Sequence, residues 1–285
     1  MRDKKLIQLY ITNMCNSRCK TCSIWKNEKR QELDGSVEKV FLAFPDADYV
    51  IGGGEAILHK NIEVILFLLQ TRKANYTLLS NCIWYDRLCE LVGRYEVPAV
   101  TVSFDGLGHD EIRGFLGNMA NIIKFKEWCD FNDTRMKISY TYSKYNEGRF
   151  EEDMKFIKDE LGFNEIYLCI AQDDIDLLMT DKNDERFEAD SFEQILKCDM
   201  ISDKDKNHIR SMITGIRRFC TSQNNVHTIY SNGDIVRCQS FKSKEVLGNI
   251  NNMSVEEIRE TLNSVKNEKC PYDEKCNLLC QRRYD

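Results

Sequence analysis

Apolar and polar positions along the first 170 residues alternate between two periods. Short runs rich in β-branched and aromatic residues fall at 5–12 (KLIQLYIT), 48–52 (DYVIG), 75–80 (NYTLLS), 99–104 (AVTVSF), 136–142 (MKISYTY) and 164–169 (NEIYLC). Their length, composition and flanking Gly, Asn, Asp and Ser predict strands. Helical spacing appears between them. Ser36 can cap VEKVFLAF, Asn61 can cap IEVILFLLQTRK, and residues 118–131 and 150–161 carry apolar positions in helical register. Six strands alternating with helices require a parallel sheet with right-handed crossovers, either doubly wound or closed toward a barrel.

Beyond residue 170 the pattern changes. The stretch AQDDIDLLMTDKNDERFEAD is acidic and poorly periodic, and a helix is expected over 202–219 with Ser202 as its cap. VHTIYS and DIVRC then flank Asn232-Gly233, a pair suited to a tight type I′ hairpin because both turn residues need positive φ. The expected division is 1–170 as the α/β unit, 171–219 as a connector with a helix, and 220–285 as a small cysteine-rich appendage.

Charge and cysteine content narrow the setting. The net charge of −6, from 40 basic and 46 acidic residues, comes without a Lys/Arg block long enough to track phosphates, which argues against nucleic acid as partner. Thirteen cysteines without a signal peptide or long apolar segment point to a reducing, cytoplasmic location with no membrane association, where clustered cysteines bind metal more often than they form disulfides.

The most informative cluster is Cys15, Cys19 and Cys22 in MCNSRCKTCSIW, directly after the first expected strand. Three thiolates on one tight loop can hold three irons of a four-iron four-sulfur (4Fe-4S) cluster, whose fourth iron is then open to an external ligand; a purely structural cluster is normally held by four cysteines. A zinc site would want a fourth Cys or His nearby, and His59 and Cys82 belong to other elements.

Other polar residues fall at the carboxyl ends of the expected strands, where parallel α/β folds gather ligands. Gly52-Gly53-Gly54-Glu55 leaves strand two, Ser80-Asn81 ends strand three, and Ser103-Phe104-Asp105-Gly106 ends strand four, with Arg113 beyond it. Gly53 and Gly54 would let a ligand approach the backbone, and Glu55 can accept hydrogen bonds from an ammonium group. Each signal alone is ordinary, since a turn, a cap or a solvated arginine explains it. Together on one rim they suit a ligand with both an amine and a carboxylate.

At this point the chain resembles the radical S-adenosylmethionine (radical SAM) enzymes. The resemblance covers about 1–170 through CxxxCxxC, the GGE loop at 53–55 and SFDGLGHDEIRG at 103–114, the last similar to a segment found in members with SPASM or twitch extensions. It implies a partial (β/α)6 barrel in which S-adenosylmethionine chelates the open iron of a 4Fe-4S cluster and is split by one electron to a 5′-deoxyadenosyl radical. By this resemblance Cys15, Cys19 and Cys22 hold the cluster, and Gly53, Gly54 and Glu55 receive the methionyl amine. Ser103 and Arg113, beside Asp105, meet the carboxylate, and Ser80 and Asn81 lie along the ribose. Two positions depart from the family pattern: Thr21 replaces an aromatic residue, and Ala56 replaces a proline.

A second cysteine group reads Cys220, Gly233, Cys238 as Cx12Gx4C, then Cys270, Cys276, Cys280 as Cx5CxxxC. Such a set can close a four-ligand cage, with a zinc knuckle as the alternative. It resembles the twitch or SPASM appendage, including LGNI at 247–250 before a closing helix. Asn267 stands where a full SPASM segment would have a cysteine, which implies one auxiliary 4Fe-4S cluster. Two of Cys270, Cys276 and Cys280 would complete it.

Cys82, Cys89, Cys129 and Cys198 read as small buried apolar residues, and the four histidines show no metal-ligand spacing. Cys169, on the rim at the end of strand six, can either donate a hydrogen atom to a substrate radical or be an inert core thiol.

The functional expectation is a radical SAM enzyme acting on a peptide through cross-linking, epimerisation or maturation. A small-molecule alcohol or sugar is the alternative substrate, and a non-catalytic electron-transfer or zinc module is the alternative class. A reductant such as flavodoxin or ferredoxin is implied. The lack of room for a leader-binding domain before residue 6 would assign leader-peptide recognition to a partner protein.

Overall fold

The computed structural model describes residues 4–171, 192–214, 225–236 and 245–265. Six strands form where the pattern placed them: β1 (Leu6–Thr12), β2 (Asp48–Gly53), β3 (Asn75–Ser80), β4 (Ala99–Phe104), β5 (Arg135–Tyr142) and β6 (Tyr167–Ile170). They lie side by side in chain order, each pair parallel. A doubly wound sheet needs a reversal of strand order. Without one, successive right-handed crossovers stack their helices on one face, the winding of a barrel left open at its edges.

The crossovers contain α1 (Val37–Ala43), α2 (Ile62–Thr71), α3 (Tyr85–Arg94), α4 (His109–Arg113), α5 (Asn118–Phe131) and α6 (Phe150–Asp159). Helix α3 lies outside the sequence expectation. Its apolar stripe is narrow, with Leu88, Leu91 and Val92 buried among charged residues. Two expected caps also differ. Ser36 and Asn61 occupy the N-cap positions but make no side-chain cap. Ser36 Oγ instead donates to Asn251 Oδ1 at 2.7 Å. Before α2, His59 Nε2 lies 2.8 Å from the Leu33 carbonyl, leaving Nδ1 to accept from Asn61 N–H at 3.1 Å.

Strand register divides the sheet into two unlike faces. Ile7, Leu9, Ile51, Leu78, Val100, Val102, Ile138 and Leu168 share one face and are fully buried against Val40, Phe41, Leu66, Leu69, Leu91, Phe125 and Ile157. Burial of aliphatic side chains of this size stabilises the fold by about 1.5–3 kcal/mol each. Gln8, Tyr10, Thr77, Ser103, Ser139, Thr141 and Cys169 point to the other face and are only half-buried. A parallel sheet packed on both sides is apolar on both. A row of hydroxyls, amide and thiol marks this face as one built to meet something polar.

The expected hairpin is present as β7 (Val226–Ile229) and β8 (Asp234–Val236), followed by β9 (Val246–Asn249) and α9 (Val255–Ser264). Strand β7 pairs in parallel with β1, Leu6 opposite Val226 and Leu9 opposite Ile229, so the hairpin extends the sheet to nine strands. The turn is not type I′: only Gly233 has positive φ (90°), and Gly233 N–H bonds back to Tyr230 O at 2.8 Å. A longer loop from Tyr230 explains this, because it needs one left-handed residue where a two-residue turn needs two. Helix α9 begins in a full capping box between Ser254 and Glu257. It docks on α1 through Arg259 Nε to Ala43 O at 3.1 Å.

Between these parts lie α7 (Glu193–Lys197) and α8 (Asp203–Thr214). Ser202 Oγ accepts from Asp205 N–H at 3.1 Å, the cap expected for α8. The remainder of the expected 202–219 helix lies outside the described residues. Strand β6 begins at Tyr167, not at 164, after the turn at Gly162 (φ 72°).

Candidate metal centre and its rim

The three cysteines leave the end of β1 on a loop clamped from both sides. Gly53 and Gly54 press against it: a Cβ at either would collide with the backbone of Thr12 or Met14. Gly54 N–H donates to Thr12 O and Glu55 N–H to Met14 O, both at 2.7 Å. What these glycines admit is therefore the chain's own cysteine loop. Opposite, Arg18 N–H and Lys20 N–H donate to Arg113 O (3.0 Å) and Ile112 O (2.8 Å), and Ser17 Oγ donates to Arg113 O at 2.7 Å. Trp25 Nε1 closes the loop on itself by donating to Cys19 O at 3.2 Å.

Donors converge on the sulfurs. Cys15 Sγ faces Ser17 N–H at 3.4 Å and Asn81 Nδ2 at 3.8 Å. Cys19 Sγ faces Arg113 Nη1 at 3.7 Å and lies 3.0 Å from Ser17 Oγ, whose proton is given to Arg113 O. Cys22 is exposed. Burial pushes the Cys15 thiol up to about 12, so iron binding there would have to displace a proton. Among the described residues no three His, Cys, Asp or Glu side chains converge as ligands of one ion would. Ligands of a 4Fe-4S cube sit on separate irons and stand farther apart than ligands sharing one ion. Three cysteines on one loop, with N–H donors aimed at the sulfurs and a guanidinium beside them, are the kind of surroundings that tune such a cluster.

The rim residues are brought together, but mostly onto one another. Glu55 is fully buried, accepting from Ser80 Oγ at 3.0 Å and from Asn81 N–H at 2.7 Å; burial raises its carboxyl to about 7 against these hydrogen bonds. Asn81 then reaches Asn16 Oδ1 (2.8 Å) as well as Cys15. Arg113 forms a two-pronged ion pair with the buried Asp105 through Nε and Nη2, the latter at 3.1 Å. Such a fork fixes the guanidinium plane, and Nη1 is left pointing at Cys19. Ser103 faces Ser139 across the β4–β5 ladder, and Ser139 Oγ lies 3.4 Å from Cys169 Sγ. Cys169 thus sits on the polar sheet face, its thiol pushed up by burial.

Several residues of this network escaped the sequence reading. His109 Nδ1 accepts from Asp105 N–H at 3.2 Å, which leaves the ring proton on Nε2, 2.8 Å from the side-chain amide of Asn118; Asn118 Nδ2 donates to Asn81 O. Burial and the Arg113 charge lower His109 to about 4, so it is neutral. Asp153 on α6 accepts from Tyr140 OH at 2.7 Å and from Leu107 N–H at 2.8 Å. Asn146 donates to Asp105 O at 3.2 Å. The signal for His109 lay in the HDEIR run; Asn118, Asn146 and Asp153 had none, being polar residues in otherwise ordinary helix starts and loops. Cys82 and Cys129 are buried as expected, whereas Cys89 and Cys198 are only half-buried. Cys220, Cys238, Cys270, Cys276 and Cys280 lie outside the described residues.

Comparisons with known proteins bear on the C-terminal segment and on the fold. Residues 220–281 match the SPASM family model, an iron-sulfur cluster-binding domain. No protein of curated function matches by sequence. Among solved structures, Streptococcus suis SuiB bound to S-adenosylmethionine is similar with a TM-score of 0.68 at 14% identity, over 96% of this chain and 72% of that one. SuiB bound to its precursor peptide SuiA gives 0.66 at 13%, over 98% and 71%. anSMEcpe with bound AdoMet gives 0.65 at 17%, over 90% and 82%. At such identities the likeness is one of fold. The chain has the radical SAM fold and carries a SPASM segment.

Proposed function

We propose that this protein is a radical SAM enzyme that modifies a peptide. The observation that carries this reading is the cysteine loop itself: three thiols in CxxxCxxC order, two with hydrogen-bond donors on sulfur, at the rim of a sheet whose accessible face is polar. Cys15, Cys19 and Cys22 would hold a 4Fe-4S cluster. When bound, cluster and S-adenosylmethionine would supply one-electron cleavage of the sulfonium and a 5′-deoxyadenosyl radical that takes hydrogen from the substrate. Asn81 and Arg113 stabilise the thiolates, and Asp105 holds Arg113 in place.

The gap between the SAM-binding rim inferred from sequence and the hydrogen bonds just described defines the roles. Glu55 ties the loops after β2 and β3 together, and an ammonium ligand would meet a carboxyl already engaged by Ser80 and Asn81. Gly53 and Gly54 keep the cysteine loop against that junction. Ser103, Ser139 and Cys169 line the face where substrate and adenosyl group would lie, Cys169 being the candidate hydrogen-atom donor. An auxiliary 4Fe-4S cluster would be held by Cys220, Cys238 and two of the three tail cysteines. Peptide is preferred over a small alcohol or sugar because two proteins of similar fold were captured with peptides: SuiB with its precursor peptide SuiA, and anSMEcpe with the Cp18Cys peptide.

The test is anaerobic reconstitution, dithionite reduction and assay of 5′-deoxyadenosine with a precursor peptide deuterated at its Cα and Cβ positions. The reading predicts 5′-deoxyadenosine carrying deuterium. Cleavage without deuterium transfer returns the substrate to small molecules, and no cleavage under any reducing condition removes the catalytic reading.

A further inference from the structure

The loop that carries the cysteines is basic within an acidic chain. Between Cys15 and Arg30 stand Arg18, Lys20, Lys26, Lys29 and Arg30 against one carboxylate, Glu28, although the whole chain carries −6. All five cations are exposed. They are also gathered. Trp25, bonded to Cys19 O, carries the Arg18 guanidinium 5.3 Å and the Lys26 Nζ 5.4 Å from its ring centroid. On the loop after β5, Tyr145 carries Lys20 Nζ at 5.4 Å and Lys144 Nζ at 5.7 Å. Asn13 clamps the Lys29–Gln31 backbone to the end of β1, donating from Nδ2 to Lys29 O at 2.6 Å and accepting from Gln31 N–H at 2.9 Å. Aromatic rings thus hold Arg18, Lys20 and Lys26 in place on the loop that carries Cys19 and the exposed Cys22.

We infer that this collar is the docking surface for an acidic, low-potential electron-transfer protein. The inference rests on the function proposed above, which consumes one external electron per cleavage. Electron transfer weakens steeply with distance, so a donor must come against the loop that holds the acceptor, and this loop is where the cations are. Exposed charge of this kind acts mainly on encounter rate and is screened by salt. Lys20 also reaches Glu111 at 2.6 Å, so Lys26, Lys29 and Arg30 are the cleaner probes.

The experiment uses the full chain, an acidic bacterial flavodoxin as probe, and the triple variant Lys26→Glu, Lys29→Glu, Arg30→Glu. Binding of oxidised flavodoxin is titrated at low and high ionic strength, and 5′-deoxyadenosine formation is driven in parallel by reduced flavodoxin and by dithionite. Expected are a loss of affinity of about tenfold or more at low salt, a difference that collapses at high salt, slowed flavodoxin-driven cleavage and unchanged dithionite-driven cleavage. Equal affinity of variant and wild type overturns the inference. So does an equal loss with dithionite, which would indicate damage to the loop, or intact flavodoxin binding with slowed peptide modification, which would give the collar to an acidic peptide. If wild type cleaves nothing with dithionite, the proposed function fails, while the binding titration still decides whether the surface takes the donor.

Discussion

At the scale of single residues, buried polar groups organise the site. Glu55 illustrates how a motif can be legible while its bonding is not: the GGE run was visible in the sequence, but its partners Ser80 and Asn81 come from a strand 25 residues away. The glycines were read as openings for a ligand, and space for the backbone of Thr12 and Met14 cannot be seen without the register of β1 against β2. A testable consequence follows from burial. With its carboxyl raised from 4.5 to about 7, Glu55 holds a proton in the folded state that the unfolded chain has already released. The folded state therefore loses stability as pH rises from about 4.5 through about 7, by on the order of 3 kcal/mol in total. Glu55→Gln should flatten that slope in cluster-free protein, measured as Tm from pH 5 to 8; a variant with the same pH dependence as wild type would assign the slope elsewhere.

At the scale of elements, the six barrel strands and most of their helices were legible because apolar periodicity is a local signal. Helix α3 was not, since three buried residues among Asp86, Arg87, Glu90 and Arg94 make too narrow a stripe to read. The rim loops depended on long-range bonds that no local pattern encodes. The loop after β4 is fixed from α6: Asp153 accepts from Leu107 N–H and from the fully buried Tyr140, and a side chain at Gly106 would strike Asp153. Asp105 and Arg113 hang from that loop, so α6 positions the guanidinium beside Cys19. Asp153→Ala leaves two donors without their acceptor and is predicted to cost about 2–3 kcal/mol. Chemical denaturation should show this, with Asp153→Asn recovering part because an amide oxygen can still accept from Leu107. Equal stability of the alanine variant and wild type would show that the loop is held by something else.

At the scale of the whole molecule, one sheet joins the two cysteine-bearing parts. Strand β7 extends the barrel from β1, the strand that also delivers the first cysteine loop, and α9 anchors to α1. Strand β8, which precedes Cys238 in the chain, lies beyond β7 from β1 and runs in the opposite direction, so its carboxyl end is at the other end of the sheet from the Cys15 loop. Among the described residues no helix is long and apolar enough to cross a membrane. The composition argued against a long phosphate-tracking stripe and left room for a local basic patch, but net charge averages over distance and so did not point to the collar. The central claim is that Cys15, Cys19 and Cys22 hold a 4Fe-4S cluster independently of the C-terminal segment. Iron content per chain after anaerobic reconstitution tests it most directly, comparing wild type with the variant Cys15→Ala, Cys19→Ala, Cys22→Ala. The account predicts that the variant loses about four irons and keeps those of the C-terminal segment; an iron content equal to that of wild type would contradict it.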